Sequence, residues 1–267
     1  MGELVFVGMG LRDESDVSLR GLEEARTADY VFAELYTSLM EGLDIEKLAR
    51  LTGKRIVPVS RRMLEEESGM EIMEAAQKGK TVLLVPGDPL IATTHVDLRI
   101  RATKAGVKVR IVHGASIISA AIGLSGLQNY KFGRSVTIPF VEKGAASETP
   151  LNVIKRNLAA GLHTLCFLDI KAEQKQYMTI KEALETLLRV VNGKSNPAVT
   201  RDGIAVGIAR AGSRNPVVKA GMLKELVGYD FGNPPHTLVF PGKLHFMEAE
   251  ALIVLADAPE SVRKMVE

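Results

Sequence analysis

The sequence lacks the features of a disulfide-bonded, membrane-spanning or strongly charged protein. Cys166 is its only cysteine, so no disulfide can form within the chain, and a reducing, cytoplasmic location is expected. No run of about eighteen apolar residues occurs, which argues against a transmembrane helix. The net charge of +2 provides no overall field that would attract nucleic acid or an anionic membrane. We therefore expect neither a nucleic-acid partner nor a membrane partner.

The sequence also lacks the side-chain patterns of a metal site or a nucleophilic enzyme. The five histidines are scattered without the spacing of metal ligands, so no metal site is expected. Cys166 lies in an apolar run and is interpreted as a small core residue. Glu34, Tyr36, His95 and His113 can take up a proton, but a structural or substrate-contact role is favoured for each. No catalytic residue is assigned.

What is present is a regular alternation of apolar segments. Strands are predicted in the first half at residues 4–7, 29–33, 55–59, 81–85 and 107–112, with segments of helical spacing between most of them. This alternation predicts a mainly parallel sheet. A helix over residues 116–124 is apolar nearly all round and is therefore expected to be buried. Together with the second half, the pattern predicts an α/β protein of two domains, residues 1–130 and residues 131–267.

One stretch in the first half carries the strongest sign of a ligand site. Residues 81–85 are an almost continuous apolar run, and Pro-Gly-Asp-Pro follows at residues 86–89. The prolines end the strand because they cannot donate a backbone hydrogen bond. Asp88 then lies just beyond the carboxyl end of a strand, where ligands bind in open α/β sheets. Taken alone, the motif is interpreted more readily as an ordinary Asp-Pro turn.

The first strand is followed by Gly8-Met9-Gly10, which invites comparison with dinucleotide-binding turns. That fingerprint requires a third glycine three residues later, where this chain has Asp13. Glu14 and Asp16 add two more carboxylates, which would repel a pyrophosphate. No phosphate-binding loop of the nucleotide-triphosphatase type is present. A cationic ligand without phosphate, such as S-adenosylmethionine, suits these turns better.

Several blocks of the sequence resemble one family when they are taken together. The most distinctive is Pro-Gly-Asp-Pro-Leu-Ile-Ala-Thr-Thr-His at residues 86–95. The others are residues 8–14, 36–38, 113–117, 130–133, 168–171, 209–213, 230–236 and 241–245. In this order they resemble the diphthine synthase family, a branch of the tetrapyrrole methylase superfamily, over essentially the whole chain. Leu11 and Arg12 replace the Pro-Gly of tetrapyrrole members, which agrees with the diphthine branch.

The resemblance implies a fold, a cofactor and a set of contacts. The implied fold is two α/β domains of the tetrapyrrole methylase type, with the cofactor in the cleft between them, usually in a homodimer. The implied cofactor is S-adenosylmethionine, which leaves as S-adenosylhomocysteine. The matching cofactor-binding positions are Leu11, Asp88, Ile91, Ser116, Ile117, Leu168, Ala211 and His236.

The resemblance also implies a reaction and a protein partner. The expected reaction methylates the amino group of 2-(3-amino-3-carboxypropyl)histidine in translation elongation factor 2, giving diphthine in diphthamide biosynthesis. A basic run at residues 99–110 is interpreted as a solvated face that could help to dock the factor. Two alternatives remain at this point: a methylase of a corrinoid precursor, and a non-catalytic cofactor-binding or scaffolding subunit acting in translation.

Overall fold

The computed structural model describes residues 2–142, 144–191 and 199–267. The chain divides into two compact units, Met1–Ile117 with Ala172–Gln174, and Ile118–Lys171 with Lys175–Glu267. The sequence predicts a boundary at residue 130, but the chain passes into the second unit earlier, after Ile117. The reason is that the Gln128 backbone N–H and the Lys131 ammonium both donate to the Glu248 carboxylate, which is part of the second unit.

The first unit contains a five-stranded sheet with helices between its strands. Its strands are β1 (Glu3–Gly8), β2 (Tyr30–Glu34), β3 (Ile56–Val59), β4 (Lys80–Val85) and β5 (Lys108–Val112). Its helices are α1 (Leu19–Arg26), α2 (Ile45–Thr52), α3 (Met70–Lys78) and α4 (Val96–Lys104).

All neighbouring strands of this sheet are parallel, in the order β3-β2-β4-β1-β5. The predicted parallel sheet is thereby confirmed. Apolar clusters cover both faces: Leu4 and Phe6 of β1 belong to one cluster, and Val5 and Val7 belong to the other. Because the central strands of this sheet are buried on both faces, their sequences are continuous apolar runs and do not alternate between apolar and polar residues.

The second unit contains a mixed five-stranded sheet and a separate two-stranded hairpin. Its strands are β6 (Val136–Ile138), β7 (Thr164–Leu168), β8 (Ile170–Lys171), β9 (Gln176–Tyr177), β10 (Ile204–Ala209), β11 (Val217–Met222) and β12 (His236–Phe240). Its helices are α5 (Ile117–Ser125), which begins at the division between the units, α6 (Thr149–Ala159), α7 (Ile180–Val191), α8 (Leu223–Leu226) and α9 (Phe246–Ala256).

The larger sheet has the order β11-β10-β12-β7-β6, and only β6 and β7 are parallel neighbours. A capping box opens α7, since Thr179 and Glu182 each accept the other's backbone N–H. Strand β11 was not predicted. It lies at the edge of the sheet, and its sequence includes Lys219, Ala220 and Gly221, so it shows no clean strand pattern.

The expectation that the apolar helix α5 is buried all round is wrong. Only Ala121 and Ser125 are fully buried, whereas Ser119 and Gly123 are exposed. Within the described ranges, no helix has both the length and the apolar character needed to cross a bilayer.

A buried carboxylate joins the start and the end of the second unit. Glu248 and His163 are both fully buried. The Glu248 carboxylate accepts hydrogen bonds from the backbone N–H groups of Gln128 and His245, from Lys131 Nζ and from His163 Nε2. Burial alone would raise the pKa of Glu248, but these donors outweigh it and lower the pKa to about 2.

We expect Glu248→Gln to lower the free energy of unfolding by about 3 kcal/mol at neutral pH, because Lys131 keeps its charge and loses its partner. A carboxyl with a lowered folded-state pKa stabilises the fold above its unfolded pKa, and this contribution is lost as the pH falls through the folded value. The difference between wild type and variant should therefore shrink between pH 4.5 and about 2. Denaturant unfolding across this range measures it, and a difference that does not change with pH would contradict the assignment.

Candidate functional site

The turns after β1, β4 and β5 are packed tightly against one another. A Cβ at Gly114 would lie 2.5 Å from the Gly87 carbonyl oxygen and 2.8 Å from the Gly8 carbonyl carbon, so no side chain fits there. Gly87 has φ of +69°, a conformation that glycine adopts without strain. Its N–H donates to the Gly10 carbonyl at 2.7 Å. These contacts fix the spacing of the three turns that follow adjacent parallel strands.

Asp88 stands directly after this glycine contact and is 7 % exposed. Its Oδ1 accepts the Leu90 backbone N–H at 3.1 Å, and its Oδ2 lies 2.7 Å from His113 Nδ1. The interpretation as a turn-forming aspartate is therefore correct in part, because one oxygen holds the local backbone. The other oxygen is paired with a histidine on the turn after β5.

His113 is the partner that sequence spacing did not reveal. It is 25 residues away from Asp88 along the chain, and it follows β5, which is separated from β4 in the sheet only by β1. Its side chain is 74 % exposed, in contrast to the buried Asp88 carboxylate. A His-Asp pair is thus present, although the two residues are not spaced along the chain as in a sequence motif. Only the order of strands in the sheet could have indicated it.

Two acidic residues of the first turn make contacts within the first unit that the sequence does not show. Asp16 Oδ2 accepts the backbone N–H groups of Leu11 and Arg12 at 3.0 and 2.9 Å. Glu14 is 3 % exposed and forms an ion pair with Lys47. These carboxylates hold the turn in shape, and they fix the position of Leu11.

The remaining predicted positions of the first unit lie close by along the chain. Ile91, in the turn that Asp88 begins, is 42 % exposed. Ser116 and Ile117 are half-buried and lead from the turn after β5 into helix α5. All five predicted positions of this unit therefore follow the carboxyl ends of the adjacent strands β1, β4 and β5.

The three predicted positions of the second unit share one edge of its sheet. Leu168 ends β7, Ala211 follows the end of β10, and His236 begins β12. Because β12 runs antiparallel to both β7 and β10, its first residue lies at the edge where they end. The Arg210 N–H donates to the Pro235 carbonyl at 2.8 Å and closes the turn beside Ala211.

His236 uses both ring nitrogens within the second unit. Its Nδ1 accepts the Ile180 backbone N–H at 3.2 Å, and its Nε2 donates to the Asn233 carbonyl at 3.1 Å. Burial lowers the pKa of the imidazole, in keeping with a neutral ring. A ligand at this position can therefore meet the ring face or the backbone, but the ring nitrogens are already engaged.

Arg210 supports this edge and was not singled out from the sequence. Its φ of +51° is unusual for a residue other than glycine. Its guanidinium donates to the carbonyls of Phe231 and Asn233 at 2.8 and 2.5 Å, so it holds the loop that leads to His236. No feature of the sequence pattern indicated this role.

The chemistry of the predicted positions suits a cation better than a phosphate. Asp88 is the one charged residue among the eight, and it is negative. The basic run at residues 99–110 is partly neutralised, because Arg101 pairs with Asp97 and Arg110 with Glu3 and Glu24. No group of three or more metal-ligating side chains is found among the residues that the structure describes.

Comparison with known proteins identifies the family. The family model for Tetrapyrrole (Corrin/Porphyrin) Methylases matches residues 3–227. The chain is 49% identical to the diphthine synthase of Methanosarcina mazei, over 99% of this chain and 100% of that protein. The Methanocaldococcus jannaschii enzyme is 45% identical, over 95% and 99% of the two chains. A crystal structure of diphthine synthase superposes with a TM-score of 0.89 at 46% identity, covering 98% of this chain and 99% of that one. The chain therefore belongs to the tetrapyrrole methylase family and, within it, to the methyltransferases known as diphthine synthases.

Proposed function

We propose that this protein transfers methyl groups from S-adenosylmethionine to translation elongation factor 2. The acceptor is the amino nitrogen of 2-(3-amino-3-carboxypropyl)histidine, and the product is diphthine, an intermediate of diphthamide biosynthesis. The observation that carries the proposal is the match to diphthine synthases over nearly the full length of both chains. A cytoplasmic location follows from this partner and agrees with the single, reduced cysteine, which is completely buried.

The predicted residues of the first unit fit S-adenosylmethionine, a cation without phosphate. When bound, S-adenosylmethionine supplies a methyl group that its sulfonium already activates for transfer. The Asp88 carboxylate would accept a hydrogen bond from the methionine ammonium. Ser116 and Ile117 lie where α5 begins, and the positive end of a helix dipole favours a carboxylate. Leu11 and Ile91 would contribute apolar contact area.

The predicted residues of the second unit fit an uncharged, planar group such as an adenine ring. Leu168 provides an apolar surface at the end of β7, and Ala211 leaves room for close approach of an adenine ring. Because both nitrogens of His236 are engaged, its contribution would come from the ring face or the backbone. The protein's task is to align amine and methyl and to exclude water, which lowers the barrier by orientation and desolvation.

We also propose that the protein acts as a homodimer through α9. Met247 and Val254, two helical turns apart on one face, are 55 % and 68 % exposed, and Leu255 is 59 % exposed. The incomplete burial of α5 adds to this surface, since Gly126 at its end lies against Ala251 and Leu255 of α9. A second copy of the chain is the occupant that would bury these apolar side chains.

A labelled-methyl assay tests the proposed function. Elongation factor 2 carrying the amino-carboxypropyl histidine should take up label, whereas factor with an unmodified histidine and a precorrin should not. Transfer to the precorrin alone would support a corrinoid-precursor methylase, and label in neither would support a cofactor-binding or scaffolding subunit. Either result would contradict the proposal.

Asp88→Asn should weaken binding of S-adenosylmethionine about ten- to a hundredfold with little loss of stability. An asparagine oxygen can still accept the Leu90 N–H, but the charge-assisted bond, worth roughly 1.5–3 kcal/mol, is lost. Calorimetric titration and the melting temperature measure the two effects. Asp97→Asn, an exposed carboxylate on α4, is the matched control and should bind normally. An Asp88→Asn protein that melts much earlier yet binds normally when folded would make Asp88 purely structural.

Val254→Glu should convert the dimer into a monomer, because it places a carboxylate of each copy in an apolar interface. Sedimentation should give twice the chain mass of 28.9 kDa for the wild type and the single mass for the variant. Val96→Glu on α4, where the valine is 52 % exposed, serves as the control and should remain dimeric. A monomeric wild type, or a dimeric Val254→Glu protein, would refute this assignment.

A further inference from the structure

Asp88 and His113 form a hydrogen-bonded pair whose two members differ sharply in exposure. Oδ2 of the carboxylate lies 2.7 Å from Nδ1 of the ring. The carboxylate is almost completely buried, whereas the histidine side chain is 74 % exposed. Among the residues that the structure describes, Asp88 is the charged side chain that forms a hydrogen bond with this ring. The arrangement resembles acid–base sites in which a buried carboxylate orients an imidazole that works at its other nitrogen.

The pair is held firmly from both sides. Asp88 is fixed by the Leu90 N–H, which donates to its second oxygen at 3.1 Å. His113 is followed at once by Gly114, whose Cα packs against the backbone of Gly8 and Gly87. The backbone next to His113 is therefore held by the glycine contact, and its ring is oriented by the hydrogen bond to Asp88. Ser116 and Ile117, two predicted cofactor positions, follow three and four residues later.

The reaction proposed above needs a group of this kind. The acceptor amine is mostly protonated at neutral pH, since even the weakly basic α-amino terminus of a peptide has a pKa of about 8. An ammonium has no lone pair and cannot attack a methyl group. A proton must therefore leave the acceptor nitrogen before or during transfer.

The four side chains that the sequence offers for this task are distinguished by their environment. Glu34 is completely buried, and its oxygens accept hydrogen bonds from Tyr36 N–H, Thr37 N–H and the Thr37 hydroxyl. His95 is 2 % exposed and Tyr36 is 5 % exposed. Burial, with the nearby Glu34 charge, raises the pKa of the Tyr36 hydroxyl, so it stays protonated and has no phenolate to accept a proton. Among these four, only His113 presents its side chain to solvent.

We propose that His113 is the catalytic residue that accepts the proton of the acceptor amine, with Asp88 as its positioning residue. The proposal rests on the proposed function. The ammonium gives its proton to Nε2 of His113, and the freed nitrogen lone pair forms the new bond to the methyl carbon. The sulfur–methyl bond breaks with its electron pair remaining on sulfur, which gives S-adenosylhomocysteine. The imidazolium then releases its proton to water.

Asp88 contributes to this step through the nitrogen that faces it. Because Nδ1–H donates to the carboxylate, the lone pair of the neutral ring is on Nε2, the nitrogen that is not bonded to Asp88. Asp88 thereby holds the ring with this nitrogen available to take up the proton. Each additional methyl transfer that begins from a protonated amine repeats the same proton transfer.

The test compares His113→Asn with the wild type in methyl transfer to the modified elongation factor between pH 6 and pH 9. Asparagine can keep the hydrogen bond to Asp88 but has no second nitrogen that accepts a proton. We expect kcat/KM to fall about 100-fold at pH 7. The loss should shrink towards pH 9, where more of the amine is already neutral. The affinity for S-adenosylmethionine should stay within about twofold. Asp97→Asn is the control and should follow the wild type throughout.

Each other outcome overturns the proposal. A His113→Asn protein as active as the wild type at every pH would leave the methyltransferase function standing and remove His113 from it. A loss that is the same at every pH, or one that appears as weaker cofactor binding, would make His113 a structural or cofactor-supporting residue. No transfer by the wild type would end both the proposed function and this inference.

Discussion

The close approach of the turns after β1, β4 and β5 is the constraint on which the rest of the site depends. Gly8 and Gly114 meet with no space for a Cβ, and Gly87 adopts a positive φ between them. This contact brings the ends of three parallel strands to one edge, where open α/β sheets bind their ligands. The buried Asp88, the exposed His113 and the start of α5 all take their positions from it.

In the second unit, hydrogen bonds from side chains hold the loops at the edge where the predicted positions lie. Its strands are mostly antiparallel, so the predicted positions follow the ends of β7 and β10 and open β12, and side chains hold the loops between them. Arg210 ties the loop before His236 to the end of β10, and His236 ties that loop to the start of α7. Arg210 and the nitrogens of the His236 ring therefore hold the loops at this edge.

The parallel sheet and the turn that ends β4 could be predicted from the sequence because continuous apolar runs and Pro-Gly-Asp-Pro are local signals. Features that depend on strand order could not. The Asp88–His113 pair joins turns that are distant along the chain, and β11 is an edge strand with a mixed pattern. The contacts that Asp16 and Glu14 make within the unit could not be predicted, because the sequence shows charges but not their partners. The family resemblance supplied the proposed contacts, which local patterns alone did not.

A crystal structure of the protein with S-adenosylhomocysteine tests the central claim most directly. The account predicts that the methionine end of the ligand lies at Asp88 and the start of α5. It also predicts that the backbone around Gly8, Gly87 and Gly114 does not move on binding. A ligand bound elsewhere, or a rearranged glycine contact, would contradict the account.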